Sequence, residues 1–244
     1  INCHIHINNV SRSDVNIVVT VDPVNHKVLL TSIPRDYYVK LHSYGEFDKL
    51  THAGIYGVSE SMSTIADLLD TKIDYYIRVN FDTVIKLVDE IGGVDVYNNT
   101  SFKSWNGIYF SEGIIHLNGK NTLAYSRERK VFSSGDRMRG KHQQQVIEAI
   151  IEKISTSSVL LSNYGNIMNN MSNSIQTNVS SENIKMFIKN QLDSLKSWNV
   201  ESISLDGYDS SGYTYSMPGW YLYVMEPNID TVNSAKEKIN EYLK

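Results

Sequence analysis

Residues 15–33 read VNIVVTVDPVNHKVLLTSI, and Pro34-Arg35-Asp36 follow at once. Two apolar, β-branched runs, Val15 to Val21 and Lys27 to Ile33, flank Pro23-Val24-Asn25-His26, whose composition is that of a turn, so the stretch predicts two hydrogen-bonded strands. Both runs are apolar at nearly every position rather than at alternate ones, which places them in a sheet covered on both faces. Working outward, Met62, Ile65, Ala66 and Leu69 fall at helical spacing within 55–69, and Tyr75 to Val79 reads as a strand. Phe81-Asp82-Thr83 opens a helix that stops at Gly92-Gly93, where a C-terminal glycine is expected, and Val94 to Tyr97 is a short strand.

The stretch 98–112 is polar, aromatic and weakly patterned, and predicts a surface loop or irregular hairpin. Further helices are expected over 118–125, 137–154, 159–168, 181–195 and 230–243, with strands over 201–205 and 221–224. In the strongest of these helices Val146, Ile147, Ile150, Ile151 and Ile154 share one face. The alternation predicts the α/β class, as a three-layer α/β/α sandwich around a central mixed β-sheet. No internal repeat or low-complexity linker divides the chain. The expected organisation is a core over 1–155 and an extension of helices and strands over 156–244 packed on the same domain.

A chain of 244 residues with 41% hydrophobic content can bury a sizeable core, and its net charge of −4 argues against duplex nucleic acid as a partner. Any anion binding must be local. The single cysteine, Cys3, excludes an intramolecular disulfide framework and a multi-cysteine zinc site. His4 and His6 alternate as on a strand, but without a third ligand they read as structural. No P-loop, HExxH or GxSxG motif is present, so ATP hydrolysis, zinc proteolysis and α/β-hydrolase chemistry have no support. The opening Ile1-Asn2-Cys3 reads as the interior of a longer protein, with a signal or membrane anchor expected upstream.

The arginines carry the functional signal. All seven precede residue 140, whereas eight lysines follow it. A guanidinium grips phosphate oxygens two at a time through a planar fork and keeps its charge when partly buried. Arg35 and Asp36 sit just beyond the end of KVLLTSI, and the C-terminal ends of strands are where ligands gather in open α/β sheets. Arg139 and Gln143, four residues apart, head a row that continues through Val146, Ile147 and Ile150. Arg127 and Arg129 alternate, so an extended backbone would point both the same way. Arg78 lies in a predicted strand, Arg12 precedes the first one, and Arg137 falls off the row of Arg139, as a solvated or ion-paired residue would. Asp14 and Asp36 could hold a hard cation such as Mg²⁺, which takes oxygen ligands and shares them with phosphates. The aromatic cluster from Tyr208 to Tyr223, including Trp220, could stack sugars, although packing is the more ordinary use of such residues.

Seven motifs, in order, carry a resemblance: Ser11-Arg12-Ser13-Asp14; SIPRD, 32–36; Lys49-Leu50 with His52-Ala53; YYIRVNF, 75–81; EIGGVDV, 90–96; LNGKNTLAYSRER, 117–129; and GDRMRGKHQQQVIEAI, 135–150. The chain resembles the LytR-CpsA-Psr family of Gram-positive bacteria, closely over about residues 10 to 155. The resemblance implies a protein on the extracellular face of the cell membrane, anchored by an N-terminal helix absent from this chain. It implies a phosphotransferase that moves an anionic glycopolymer, teichoic acid-like or capsular, from a polyprenyl-pyrophosphate carrier onto peptidoglycan. It further implies that Arg12, Arg35, Arg127, Arg129, Arg139 and Gln143 contact the pyrophosphate, and that Asp14 ligates Mg²⁺.

We add Arg78 to the pyrophosphate set for its strand placement, and take Arg35, Asp36, Arg127 and Arg129 as the catalytic group, Asp36 orienting Arg35. Two departures stand out: Asn2 occupies the position where the family has a second metal-binding aspartate, and His142 replaces the usual arginine or asparagine. The rival readings are a polyprenyl-pyrophosphate hydrolase with water as acceptor, and a non-catalytic polyprenyl-phosphate binding module.

Overall fold

The computed structural model describes residues 11–132, 135–171 and 174–244. Asn2, Cys3, His4 and His6 therefore lie outside the described residues. The N-terminal part contains β1 (Asn16–Asp22), β2 (Lys27–Ile33), β3 (Tyr38–Lys40), β4 (Phe47–Lys49), α1 (Leu50–Ala53) and α2 (Val58–Leu69). The central part contains β5 (Ile77–Val79), α3 (Phe81–Glu90), β6 (Val94–Asn98), β7 (Phe102–Lys103), β8 (Tyr109–Phe110), β9 (Gly113–Leu117) and α4 (Gly119–Arg127). It continues through α5 (Gly135–Ser155), α6 (Ser158–Ser162), α7 (Tyr164–Met171), β10 (Ile175–Thr177) and α8 (Ser181–Ser194). The chain ends with β11 (Asn199–Ser204), β12 (Gly207–Thr214), β13 (Met217–Pro227) and α9 (Ile229–Tyr242).

Contacts divide the described chain into two compact units, one of 11–74 with Val200–Lys244 and the other Tyr75–Asn199. The boundary expected at 155 falls at the end of α5, inside the second unit. The mixed α/β class is as expected. Among the described residues the strands pair as one three-stranded and five two-stranded ladders.

In the first unit, β1 and β2 pair antiparallel from Asn16↔Ile33 to Asp22↔Lys27. The turn between them is held by the Asp22 carboxylate, whose Oδ1 accepts from the backbone N–H of Val24 (3.1 Å) and Asn25 (3.0 Å). The sheet order is β1-β2-β11, so β2 has a neighbour on each side, and its Val28, Leu29, Leu30 and Ile33 are buried. The expectation that both strands are covered holds for β2 alone. Among the described strands β1 lies at the edge of this sheet, and its Val19 and Val21, on one face, remain 49% and 40% exposed. Valine suits a pleated strand whether or not its face is covered, so a run of valines does not reveal which face is wet. Leu29, Ile33, Leu50 and Leu69 meet Leu205, Met225, Val232 and Ile239 in one core. Burying each such side chain contributes about 1.5–3 kcal/mol. The two ends of the sequence thus share a single hydrophobic core.

In the second unit α3 is capped by Asn80, whose Oδ1 accepts from the Thr83 N–H (2.8 Å), and it gives way to Gly92 and Gly93 at φ 77° and 82°. A side chain at Gly119 would collide with the Ile85 carbonyl, so glycine is what lets α4 lie close against α3. Val88, Val94, Leu117, Tyr125, Val146 and Ala149 form this unit's core, with Ile150 and Ile154 packed against it. The expected apolar row of α5 is present, but it is led by a buried histidine. His142 stacks on Tyr125 at 4.1 Å and on Phe102 at 5.4 Å between ring centroids, and its Nδ1 donates to the Tyr125 carbonyl (3.1 Å).

Burial among these rings drives the His142 pKa from 6.5 down to about 4. The folded protein therefore favours the neutral ring. That contribution is complete above pH 6.5 and is lost as pH falls from 6.5 toward 4, where the folded state also takes up the proton. The loss amounts to something on the order of 3 kcal/mol. In urea unfolding followed across this range, His142→Asn should flatten the acid slope; a variant with the parent's slope would show that His142 is not its source.

Candidate functional site

In the first unit the chain leaves β2 at Ile33, and Pro34, with no N–H, ends the ladder. The next two residues are fixed through their backbones: the Arg35 carbonyl accepts from the Thr51 N–H and the Asp36 carbonyl from the Met225 N–H, both at 2.8 Å. The Asp36 side chain points inward and is buried. Its Oδ2 accepts from Arg35 Nε (3.3 Å) and its Oδ1 from Lys49 Nζ (3.0 Å). Arg35 reaches back through Nη1 to Asp14 Oδ1, whose side chain is half exposed. Burial opposes the charge on Arg35, but Asp36 and Asp14 together outweigh it and hold its pKa above the ordinary value. Nη2 carries no hydrogen bond among the described residues, so that amino group is left to a ligand while Nε and Nη1 are braced.

The segment bearing Arg12 and Asp14 docks on the turn after α1. The Ser11 N–H meets the Gly54 carbonyl (3.3 Å) and the Ser13 N–H the Thr51 carbonyl (3.1 Å). A Cβ at Gly54 would lie 2.5 Å from the Ser11 carbonyl oxygen, so glycine is required for this approach. The docking places Asp14 against Arg35, while Arg12 is exposed.

A second buried carboxylate sits beside the first. Asp48 Oδ1 meets His52 Nδ1 (2.6 Å) and the Lys49 N–H (2.7 Å), and Oδ2 accepts from the Ser216 N–H (2.8 Å). The Ser216 hydroxyl meets the same His52 Nδ1 at 2.8 Å. A nucleophilic relay needs serine and carboxylate on opposite ring nitrogens. Here both meet one nitrogen, so the trio ties the β12–β13 turn to β4 and holds Lys49 in place.

In the second unit Arg127 is the last residue of α4, and its guanidinium lies 4.8 Å from the centre of the Phe81 ring. Glu128 follows with extended backbone and a fully buried side chain. Its carboxylate accepts from the backbone N–H of Trp105 (2.7 Å), Arg129 (2.9 Å) and Lys130 (2.8 Å). Burial works to raise the Glu128 pKa, and these N–H groups outweigh it and leave it lowered. With Glu128 turned inward, Arg127 and Arg129 are both turned out, the alternation the sequence suggested, although over one extended residue instead of a strand. Gln143 donates to the carbonyl of Ser126 (3.3 Å), beside Arg127, and Arg139 sits partly buried one turn earlier on α5. Arg78 lies in β5 opposite Gln176, and Arg137 is exposed.

The first unit thus brings together Arg35, Asp36 and Asp14, and the second groups Arg127, Arg129 and Gln143 around Ser126 to Glu128. Lys49 and Glu128 were not anticipated as site residues. An acid between two arginines was the available signal for Glu128; for Lys49 the signal was its place in a quoted motif.

A family model described as LytR_cpsA_psr matches residues 5–238. The chain is 35% identical over 234 residues to the polyisoprenyl-teichoic acid–peptidoglycan teichoic acid transferase TagU of Bacillus mycoides, covering 96% of this chain and 72% of that one. It is 37% identical over 214 residues to TagU of Bacillus cereus, covering 87% and 68%. Among solved structures, B. subtilis TagV superposes with a TM-score of 0.77 at 31% identity, over 96% of this chain and 90% of that one. TagT bound to LIIa-WTA gives 0.77 at 29% identity, over 95% and 86%.

Asp36 and Asp14 differ in burial, and so should their replacement. Asp36→Asn leaves Arg35 and Lys49 facing a neutral amide in a site shielded from water, at a cost of about 3 kcal/mol, whereas Asp14→Asn should cost under about 1 kcal/mol. Urea midpoints compare the two, and equal losses would remove Asp36 from its place as the anchor.

Proposed function

The chain belongs to the LytR_cpsA_psr family, and we propose that it transfers an anionic, teichoic acid-like or capsular glycopolymer from a polyprenyl-pyrophosphate carrier to a peptidoglycan hydroxyl. The observation that carries this reading is Arg35, braced by two carboxylates just past the end of β2 with its Nη2 amino group unengaged among the described residues. Such a fork suits phosphate oxygens, and Arg127, exposed at the end of α4, presents a second guanidinium of the same chemistry. The polyprenyl tail keeps the donor in a membrane and the acceptor lies outside it, so the reaction belongs at the outer face of the cell membrane. Among the described residues no helix is long and apolar enough to cross a membrane.

In the proposed step the acceptor oxygen attacks the phosphorus bearing the sugar. The bond from that phosphorus to the bridging oxygen breaks, polyprenyl phosphate leaves, and the hydroxyl proton passes to solvent or a carboxylate. Phosphoryl transfer asks mainly for alignment and charge neutralisation, which Arg12, Arg35, Arg78, Arg127, Arg129 and Arg139 supply in this reading, with Gln143 donating a neutral hydrogen bond. Both oxygens of Asp36 are engaged, which suits it to orienting Arg35 better than to accepting a proton.

Among the described residues no three His, Cys, Asp or Glu side chains gather as a metal site. Mg²⁺ is nonetheless often bound through one or two carboxylates together with substrate phosphates. Asp14, half exposed with Oδ2 unengaged among the described residues, fits that sparse arrangement, with Asn2 as the further ligand we propose. When bound, the ion would supply positive charge to the phosphate oxygens.

Incubation with a short lipid-linked substrate and Mg²⁺, with and without peptidoglycan oligomers, tests the transfer. Release of polyprenyl phosphate should require the acceptor; release that ignores it would make the protein a hydrolase, and binding without release a carrier module. Arg35→Lys and Arg127→Lys should each keep the circular dichroism spectrum and weaken binding of the lipid pyrophosphate by about 1.5–3 kcal/mol. Unchanged affinity in both would remove these arginines from the phosphate site.

A further inference from the structure

The β12–β13 hairpin of the first unit carries a set of aromatic residues that no core absorbs. Its register pairs Tyr213 with Tyr221 and Ser211 with Tyr223. Directly paired residues, and residues two apart along a strand, share a face, so Tyr213, Tyr221 and Tyr223 stand together. Tyr213 and Tyr221 meet at 5.1 Å between centroids, which agrees with that reading. They are 64% and 65% exposed, and Tyr223 is 44% exposed, so ordinary packing does not account for them.

The hairpin is also braced, at the Tyr213 backbone and at the Tyr223 ring hydroxyl. The Tyr38 hydroxyl donates to the Tyr213 carbonyl (2.7 Å), and the Tyr223 hydroxyl donates to Asp209 Oδ1 (2.8 Å). Glycine at 212 lets the Tyr38 ring approach, since a Cβ there would lie 3.1 Å from it. A ring fixed before binding, as that of Tyr223 is, loses little entropy when a ligand lies on it.

The face is joined to the charged site within the same unit. Lys49 Nζ lies 5.5 Å from the centre of the Tyr223 ring and 3.0 Å from Asp36 Oδ1, and Asp36 in turn holds Arg35. A ligand lying along the tyrosines therefore ends beside the guanidinium proposed to hold the reacting phosphate.

Charge decides which ligand. From Ser197 to Ala235 there is no lysine or arginine, and the tyrosine face itself carries Asp209, whereas Glu226 lies on the opposite face of the hairpin. Lys49, the cation seen over these rings among the described residues, is already paired with Asp36. A polyanionic glycopolymer would meet Asp209 and no cation supplied by the hairpin itself. An uncharged saccharide backbone, by contrast, offers C–H faces to the rings and hydroxyls to Asp209 and Ser211. We propose that the tyrosine face of the β12–β13 hairpin binds the glycan strand of the peptidoglycan acceptor and presents its hydroxyl toward Arg35. The identity of the strand as acceptor rests on the transferase reading above; the saccharide-binding face does not.

Calorimetry with a soluble peptidoglycan tetrasaccharide tests the proposal on the intact chain. The parent should bind it with little dependence on salt. Tyr213→Ala combined with Tyr221→Ala should weaken binding roughly tenfold, and Tyr221→Phe should stay within about twofold, because the ring and not the hydroxyl makes the contact. The alanine variant should bind the lipid-linked pyrophosphate as the parent does, which separates this face from the phosphate site. No binding by the parent, parent-like binding by the double variant, or displacement of the tetrasaccharide by a glycerol phosphate oligomer would each overturn the proposal. Failure of transfer in the parent, with these saccharide results intact, would count against the transferase reading and leave the binding face standing.

Discussion

A carboxylate cannot enter a protein interior as an anion unless cations or N–H groups meet it there. Among the described residues four acids are buried, Asp36, Asp48, Glu60 and Glu128, and each is met. Asp36 takes two cations, Asp48 a histidine and two backbone N–H groups, Glu128 three backbone N–H groups. Except for Glu60, which binds the Ser43 N–H, they sit beside residues of the candidate site. Their satisfaction requirements fix the local backbone: Asp36 sets where Arg35 points, Asp48 sets Lys49, and Glu128 turns Arg127 and Arg129 outward together. The acids are the rigid part and the cations the working part.

This division explains why arginine is concentrated where it is. Arg35 is engaged through Nε and Nη1 and still has Nη2 to offer, which a single ammonium could not do with the same geometry. Lysine appears at the site where a point charge is enough, as Lys49 does between Asp36 and the Tyr223 ring. The composition of the chain, with arginine ending at 139 and lysine continuing, follows the difference between a fork that must be aimed and a charge that need only be near.

What was legible in the sequence was legible for local reasons. The β1–β2 pair, the Gly92-Gly93 stop, the Asn80-to-Gly92 helix and the row beginning at Arg139 are set by residues a few positions apart, and so is the pairing of Arg35 with Asp36. Long-range partners were not legible. Lys49 reaches Asp36 because β3 and β4 pair in the register Tyr38↔Lys49, and strands of three residues are too short to show a period. β12 was missed because Gly207 to Thr214 reads GYDSSGYT, with glycine and serine where a strand would show branched apolar residues. Ser216 carried no signal at all, since its role depends on Asp48 and His52, more than 160 positions away.

His142 shows how burial sets the protonation state of a side chain. The Tyr125 carbonyl can only accept, so the ring nitrogen facing it must carry the proton, and burial keeps the other nitrogen bare. The residue is thereby a neutral donor at physiological pH, closer in behaviour to an asparagine than to an arginine. Arg139 lies three residues earlier on α5, where a charged neighbour would oppose its positive charge. A histidine forced neutral by Phe102 and Tyr125 avoids that opposition, and it adds aromatic surface to the core at the same position. The stack that looks like a packing detail is therefore also what keeps His142 from adding a charge beside Arg139 and Lys141.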